Sequence, residues 1–275
     1  MSNNNQIFAI NRDEVMAIVE ARHDNPHHIL GMHQCLKDLY VNVFVPDVAQ
    51  VFVVDTANGD EYETEEIASG FYTVKISGRK PFDYEIKTVC TTFDEAGDLV
   101  ESARVFKDPY AFPYSVDPAK VVDVISGRTS FADGFKVKDI FGVRYITLNG
   151  VSGTSFCMEV KGARRVSVVG DFNNWDASVH QLRKIDYTDI FELFIPEVIK
   201  DSKYKFSVLF YDGREELWAD PYAICYEKAP GNASMLTEFS YEYHDDEFIK
   251  ARKKNKESLN IYEIHMSTFM RNEDG

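Results

Sequence analysis

The sequence predicts an all-β fold: two tandem immunoglobulin-like β-sandwiches behind a short N-terminal helix. Three observations lead there. Apolar residues alternate with period two through most of the chain, the signature of half-buried strands. The same order of strands and turns occurs twice. The 275 residues are enough for two ordinary domains.

The helix comes first. Asn11 can cap it, Glu14 sits three positions later, and Val15, Ile18, Val19 and Ala21 share one face. Asn25-Pro26 stops it, because the residue before a proline avoids the helical region.

Residues 40–55, YVNVFVPDVAQVFVVD, then give two strands split at Pro46-Asp47. Phe71–Ile76 and Phe82–Thr88 follow, with a turn over Gly78–Pro81. Asp108-Pro-Tyr-Ala111 closes this half. The second half repeats the series: two strands within 156–171 joined at Gly162, then Phe191–Ile195 and Tyr204–Phe210, then Asp220-Pro-Tyr-Ala223. In each half a Val-Val-(Gly)-Asp strand end precedes a strand opening on Phe and one carrying a central Tyr. The two DPYA motifs make duplication a better reading than chance likeness between sandwiches.

These elements divide the chain into an N-terminal sandwich (1–112), a connector (113–145), a second sandwich (146–245) and a terminal segment (246–275). The connector holds Pro113, Pro118, Gly127 and Gly134 and reads as loop with a short hairpin. In the last segment Arg252, Lys253, Lys254 and Lys256 read as a solvated linker, and LNIYEIHMSTF (259–269) as a strand opening a further domain.

Composition narrows function. A net charge of −15 disfavours phosphate backbones and anionic membrane surfaces, which need clustered Lys and Arg. It leaves a neutral, hydroxyl-rich polymer open. Cys35, Cys90, Cys157 and Cys225 stand far apart with no CxxC pair, so reduced thiols in a cytoplasm are expected. The first residues lack a basic-then-apolar leader, and no stretch reaches transmembrane length. His23, His27, His28 and His33 are irregularly spaced without a carboxylate or thiolate set, so neither metal nor cofactor is expected.

The informative stretch is Val166-Ser-Val-Val-Gly-Asp-Phe-Asn-Asn-Trp-Asp176. Its loop offers the Trp175 indole beside the amides of Asn173 and Asn174. A pyranose has one apolar C–H face for stacking and a rim of hydroxyls for amides. The run resembles the signature of the family 48 carbohydrate-binding modules, found before the barrel of branching enzymes. The likeness continues through Phe191–Pro196, Tyr204-Lys-Phe206, Asp212-Gly213 and Trp218-Ala-Asp-Pro-Tyr222.

The resemblance implies binding of α-1,4-glucan, with Trp175 and Trp218 as stacking platforms, Lys205 as donor and Asn232 as a late polar contact. Branching enzymes usually carry Lys where Trp218 stands, so this copy resembles dedicated glycogen-binding modules there. Phe156-Cys-Met-Glu-Val-Lys161 also departs from the usual Phe-x-Val-Trp-Ala-Pro, which marks a divergent member. The first sandwich has no tryptophan and reads as a spacer or support.

Asn25-Pro-His-His-Ile-Leu-Gly-Met-His33 resembles the opening of the amino-terminal module of glycogen branching enzymes. Ile261-Tyr-Glu-Ile-His265 resembles the first strand of their family 13 glycoside hydrolase (β/α)8 barrel. The terminal segment is then a barrel stub, with the missing barrel as its partner in cis. In that family Glu263 and His265 are scaffold, while the nucleophile, the acid/base Glu and the stabilising Asp of the retaining transfer stand on later strands. No catalysis is expected of this chain alone. A stand-alone glycogen-binding scaffold, a protein-interaction module and the front of a starch-debranching enzyme are the competing readings.

Overall fold

The computed structural model describes residues 11–93, 99–128, 139–237, 244–246 and 260–265. Helix α1 (Arg12–Val19) forms as its capping predicts, with Asn11 Oδ1 accepting from the Asp13 amide at 3.0 Å. Its Val15 and Ile18 are buried.

The first module pairs β1 (Gly31–Cys35), β2 (Asp38–Phe44), β6 (Phe71–Ser77) and β5 (Glu65–Ala68), in that order, in one antiparallel sheet. The other sheet runs β4 (Glu61–Glu63), β3 (Gln50–Asp55), β7 (Tyr84–Phe93), β8 (Leu99–Phe106). Alternation puts Leu39, Val41, Val51, Val53, Ile76 and Ile86 in the core between them.

The second module repeats the plan. One sheet runs β12 (Arg183–Lys184), β13 (Ile190–Ile195), β10 (Val151–Glu159), β9 (Gly142–Leu148). The other runs β11 (Ala163–Gly170), β14 (Lys203–Phe210), β15 (Glu215–Trp218), with β16 (Ser234–Met235) also on β14. Phe156, Val166, Val168, Phe191, Leu193, Phe206 and Val208 fill its interior. Truncating one of these phenylalanines to Ala costs about 3–5 kcal/mol.

The duplicated DPYA does the same job twice. Tyr84 Oη donates to Asp108 Oδ2 at 2.6 Å, and Tyr204 Oη to Asp220 Oδ2 at 2.7 Å. Each Asp also caps its own turn, accepting from the amide of Tyr110 or Tyr222. The repeat extends to Ile29-Leu-Gly31 and Ile140-Phe-Gly142, which the sequence reading passes over. Each glycine opens the module's first strand at positive φ (+92° and +79°) against the DPYA tyrosine. A Cβ there would lie 2.8 Å from Tyr110 O or 2.9 Å from Tyr222 Cβ.

The hairpin expected in the connector is not found among its described residues. They form helix α2 (Pro118–Ile125), capped by Asp117 with proline at the first turn, and Val121 is buried. With Val116, Ile140 and Phe141 it covers Cys157, Ile185 and Ile190 on the outer side of the β10–β13 sheet. There Glu192, fully buried, takes the Arg183 guanidinium and the Ser115 amide and hydroxyl.

The modules share apolar contacts: Val15, Ile18, Phe44, Phe71 and Tyr110 join the core of the second. Tyr110 Oη accepts from the Gln181 amide at 3.1 Å, and the Arg165 Nε–H donates to Ala21 O at 2.8 Å. The expected terminal strand is not seen: residues 260–265 have no regular secondary structure, and Ile261 and Tyr262 are exposed. The rest of that strand, and the basic run 252–256, lie outside the described residues.

Candidate carbohydrate-binding face

The register of β14 sorts its side chains. Tyr204, Phe206 and Val208 point into the sandwich; Lys203, Lys205, Ser207 and Leu209 point out. On β15, Leu217 stands opposite Ser207 and Trp218 opposite Phe206. Directly paired residues share a face. Leu217 therefore lies outward with Lys205, and Trp218 inward.

One end of this outer face is closed. Arg165, almost fully buried, donates to Ala21 O, to Ser207 Oγ at 2.7 Å and to Glu215 Oε1 at 2.6 Å. The other end, at Lys205 and Leu217, is open. It is bordered by the loop after β11 and by residues 227–232.

Gly170 ends β11 where no side chain fits, since a Cβ would meet Lys203 O at 2.3 Å. The chain then turns through Asp171–Asn173 into two consecutive left-handed residues, Asn174 (φ 54°) and Trp175 (φ 61°). Left-handed backbone is unfavourable for a residue as bulky as Trp, so the loop must hold it by other contacts. The Trp175 amide donates to Gly170 O at 3.0 Å and its Nε1–H to Asp171 Oδ1 at 3.0 Å. The other oxygen of Asp171 accepts from the Lys203 amide at 2.9 Å. One carboxylate thus ties the indole to the start of β14. The ring stays 38% exposed.

Asn173 is not available to a sugar. It is 9% exposed, its Oδ1 accepts from the Gly170 amide, and its Nδ2 donates to Val168 O and to His180 Nδ1. It pins the loop. Burial pushes the His180 pKa down to about 4, so the ring is neutral and accepts this bond. Asn174 is exposed beside Trp175.

Lys205 and Asn232 do come together, with Nζ donating to Asn232 Oδ1 at 2.5 Å. An ammonium has three N–H groups, so two remain for other acceptors, and the Asn232 amide brings two N–H donors of its own beside it. Lys203 pairs with Glu227 alongside, and that hydrogen bond holds the Glu227 carboxyl below its usual range.

The expectation for Trp218 is corrected. Its ring packs on Phe210 with centroids 5.9 Å apart and against the core, and its Nε1–H donates to Glu216 at 2.8 Å. It lies on the opposite side of the sheet from Lys205. Leu217, 56% exposed, occupies the outward place. Counting back to the aromatic before Asp-Pro hides this; the length of the turn between β14 and β15 sets the register. Asp171 was also missed, and its signal was a carboxylate four residues before an exposed Trp.

Among the described residues no group of His, Cys, Asp and Glu is arranged to hold a metal ion. His33 Nε2 lies 3.0 Å from Leu30 O and His28 Nε2 3.0 Å from Asn25 Nδ2, while His27 packs edge-on against Tyr110.

Residues 11–110 match the profile of the alpha-1,4-glucan branching enzyme GlgB N-terminal domain, and residues 140–223 that of carbohydrate-binding module 48, the isoamylase N-terminal domain. The 1,4-alpha-glucan branching enzyme GlgB of Paraburkholderia xenovorans is 32% identical over 267 residues, 94% of this chain and 34% of that protein. That of Myxococcus xanthus is 30% identical, again over 94% of this chain and 34% of the relative. The chain spans about a third of the length of these relatives. The pullulanase of Anoxybacillus sp. LM18-11 aligns with 76% of the chain and 28% of its own, at 13% identity and a TM-score of 0.31. By the two matched domains and their order, the chain belongs with the N-terminal region of the 1,4-alpha-glucan branching enzymes GlgB.

Proposed function

We propose that the open end of the outer β14–β15 face binds α-1,4-glucan, with Trp175 stacking on a pyranose ring. Leu217 extends the apolar surface, and Lys205, Asn232 and Asn174 bond the sugar rim. The observation that carries this reading is Trp175: a large aromatic left in water, on left-handed backbone, braced by Asp171 at 3.0 Å. Neither packing nor local propensity calls for it.

The site would hold a glycogen chain for the branching reaction, a retaining transfer of an α-1,4-glucan segment to a 6-hydroxyl. Four unpaired cysteines fit a cytoplasmic setting, and no helix among the described residues is long and apolar enough to cross a membrane. Native electrophoresis through a glycogen-containing gel tests the reading. The wild-type chain should be retarded relative to a glycogen-free gel; equal migration in the two gels would overturn it.

A further inference from the structure

Far along the other sheet, the turn between β12 and β13 carries a second aromatic in the same unusual state. Tyr187 is 104% exposed, the full accessibility of an unpacked side chain, and its backbone is left-handed at φ 63°. A glycine or asparagine would serve that turn position better. The turn is nevertheless firm. Thr188 donates its amide to Ile185 O at 3.1 Å and its hydroxyl to the same oxygen at 2.7 Å, and Thr188 Oγ1 accepts from the Ile190 amide at 3.0 Å. Lys184 pairs with Asp189 across it at 3.3 Å.

Beside the ring lies a groove of about 800 Å3, bordered by Asn25, Ile125, Glu159, Lys161 and Asp186. Asn25 is 9% exposed, and its buried Oδ1 has no hydrogen-bond partner. Its Nδ2 lies 3.0 Å from His28 Nε2, which holds the side chain at the groove wall. Ile125 adds an exposed apolar wall. The lining mixes carboxylates, ammonium groups and an amide around an aromatic platform. That mixture suits neutral polyhydroxylated ligands, and the acidic members disfavour an anionic one.

We infer that Tyr187 and this groove form a second α-glucan contact on the second module, separate from the Trp175 face. This rests on the reading of the module as a glucan binder. A polymer can engage both contacts at once, which strengthens retention without tightening either one.

The test is calorimetric titration of the chain with maltoheptaose, together with migration in glycogen gels, for wild type, Tyr187→Gly, Tyr187→Phe and Trp175→Ala. Glycine relieves the left-handed strain, so Tyr187→Gly should keep or raise the melting temperature while removing the ring. The expected result is two maltoheptaose sites in wild type and in Tyr187→Phe, one in Tyr187→Gly and one in Trp175→Ala. Retention of Tyr187→Gly on glycogen should fall about fivefold. One site in wild type, with Tyr187→Gly unchanged and Trp175→Ala unable to bind, overturns the inference and leaves the Trp175 face standing. Loss in Tyr187→Gly with Trp175→Ala unchanged supports the Tyr187 groove and removes the Trp175 face instead.

Discussion

The two modules share a sheet plan and differ in what stands on the second sheet. In the first, β3 ends with Asp55 opposite Tyr84; in the second, β11 ends with Gly170 opposite Tyr204. Asp55 is buried and paired with Arg79 at 2.7 Å, closing its corner with an ion pair. Gly170 leaves that corner to the backbone of Lys203 and lets the next five residues swing Trp175 outward. On the neighbouring strand the residue after the shared tyrosine is Glu85 in one module and Lys205 in the other, and Glu85 is taken by Lys107. The framework is thus kept by the Tyr–Asp pair, while a few residues separate a sheet corner closed by an ion pair from one that presents an aromatic side chain.

The largest expected effect comes from erasing that corner. Gly170→Ala should destabilise the chain by about 2–3 kcal/mol in urea unfolding, since the new methyl meets Lys203 O and the Phe172 ring. A loss under about 0.5 kcal/mol would show that the corner has room and that glycine is not what shapes it.

Two buried groups, one in each module, should respond oppositely to pH. Burial raises the Asp108 carboxyl to about 6, so its proton is held more tightly folded than unfolded. Its stabilising contribution is full below about pH 4 and is lost as pH rises through about 6. Asp108→Asn should gain stability relative to wild type, on the order of 1–3 kcal/mol, between pH 4.5 and 7.5. A constant difference would contradict this. His180, lowered to about 4, has the other sign. Its contribution is present above the unfolded pKa near 6.5 and is lost as pH falls through about 4. Because it accepts from Asn173, glycogen retention should weaken over that acidic window, and a flat profile would uncouple His180 from the loop.

The smallest effect sharpens the contrast on β15. Leu217→Trp puts a second indole on the open face and should tighten maltoheptaose binding about threefold by calorimetry. No change would place the glucan away from β15.

Much of this was legible in the sequence. Alternating apolar residues gave the sandwich strands, Asn11 the start of α1, and the two DPYA motifs the duplication. The end of α1 was misplaced, since the helix stops at Val19 and Ala21 is already left-handed (φ 49°), well before Asn25-Pro26. Short or exposed strands such as β4, β5, β8 and β12 were missed because they contribute little to the cores that impose the pattern. Helix α2 was hidden by the prolines around it, although Asp117-Pro118 is a helix start. At the site, Lys205 and Asn232 do meet through a hydrogen bond, while the pattern alone could not separate the inward Asn173 and Trp218 from the exposed Trp175. Whether an asparagine faces water or its own backbone depends on loop closure. Whether a tryptophan faces in or out of a strand depends on a register that one residue of turn length reverses.

That reversal gives the most direct test of the account. Maltoheptaose titrations of Trp175→Ala and Trp218→Ala should part company. Trp175→Ala should lose about tenfold in affinity at the β14–β15 face with stability nearly unchanged, while Trp218→Ala should lose stability and keep its binding while folded. Retained affinity in Trp175→Ala, with loss in a folded Trp218→Ala, would contradict the assignment of the outer face.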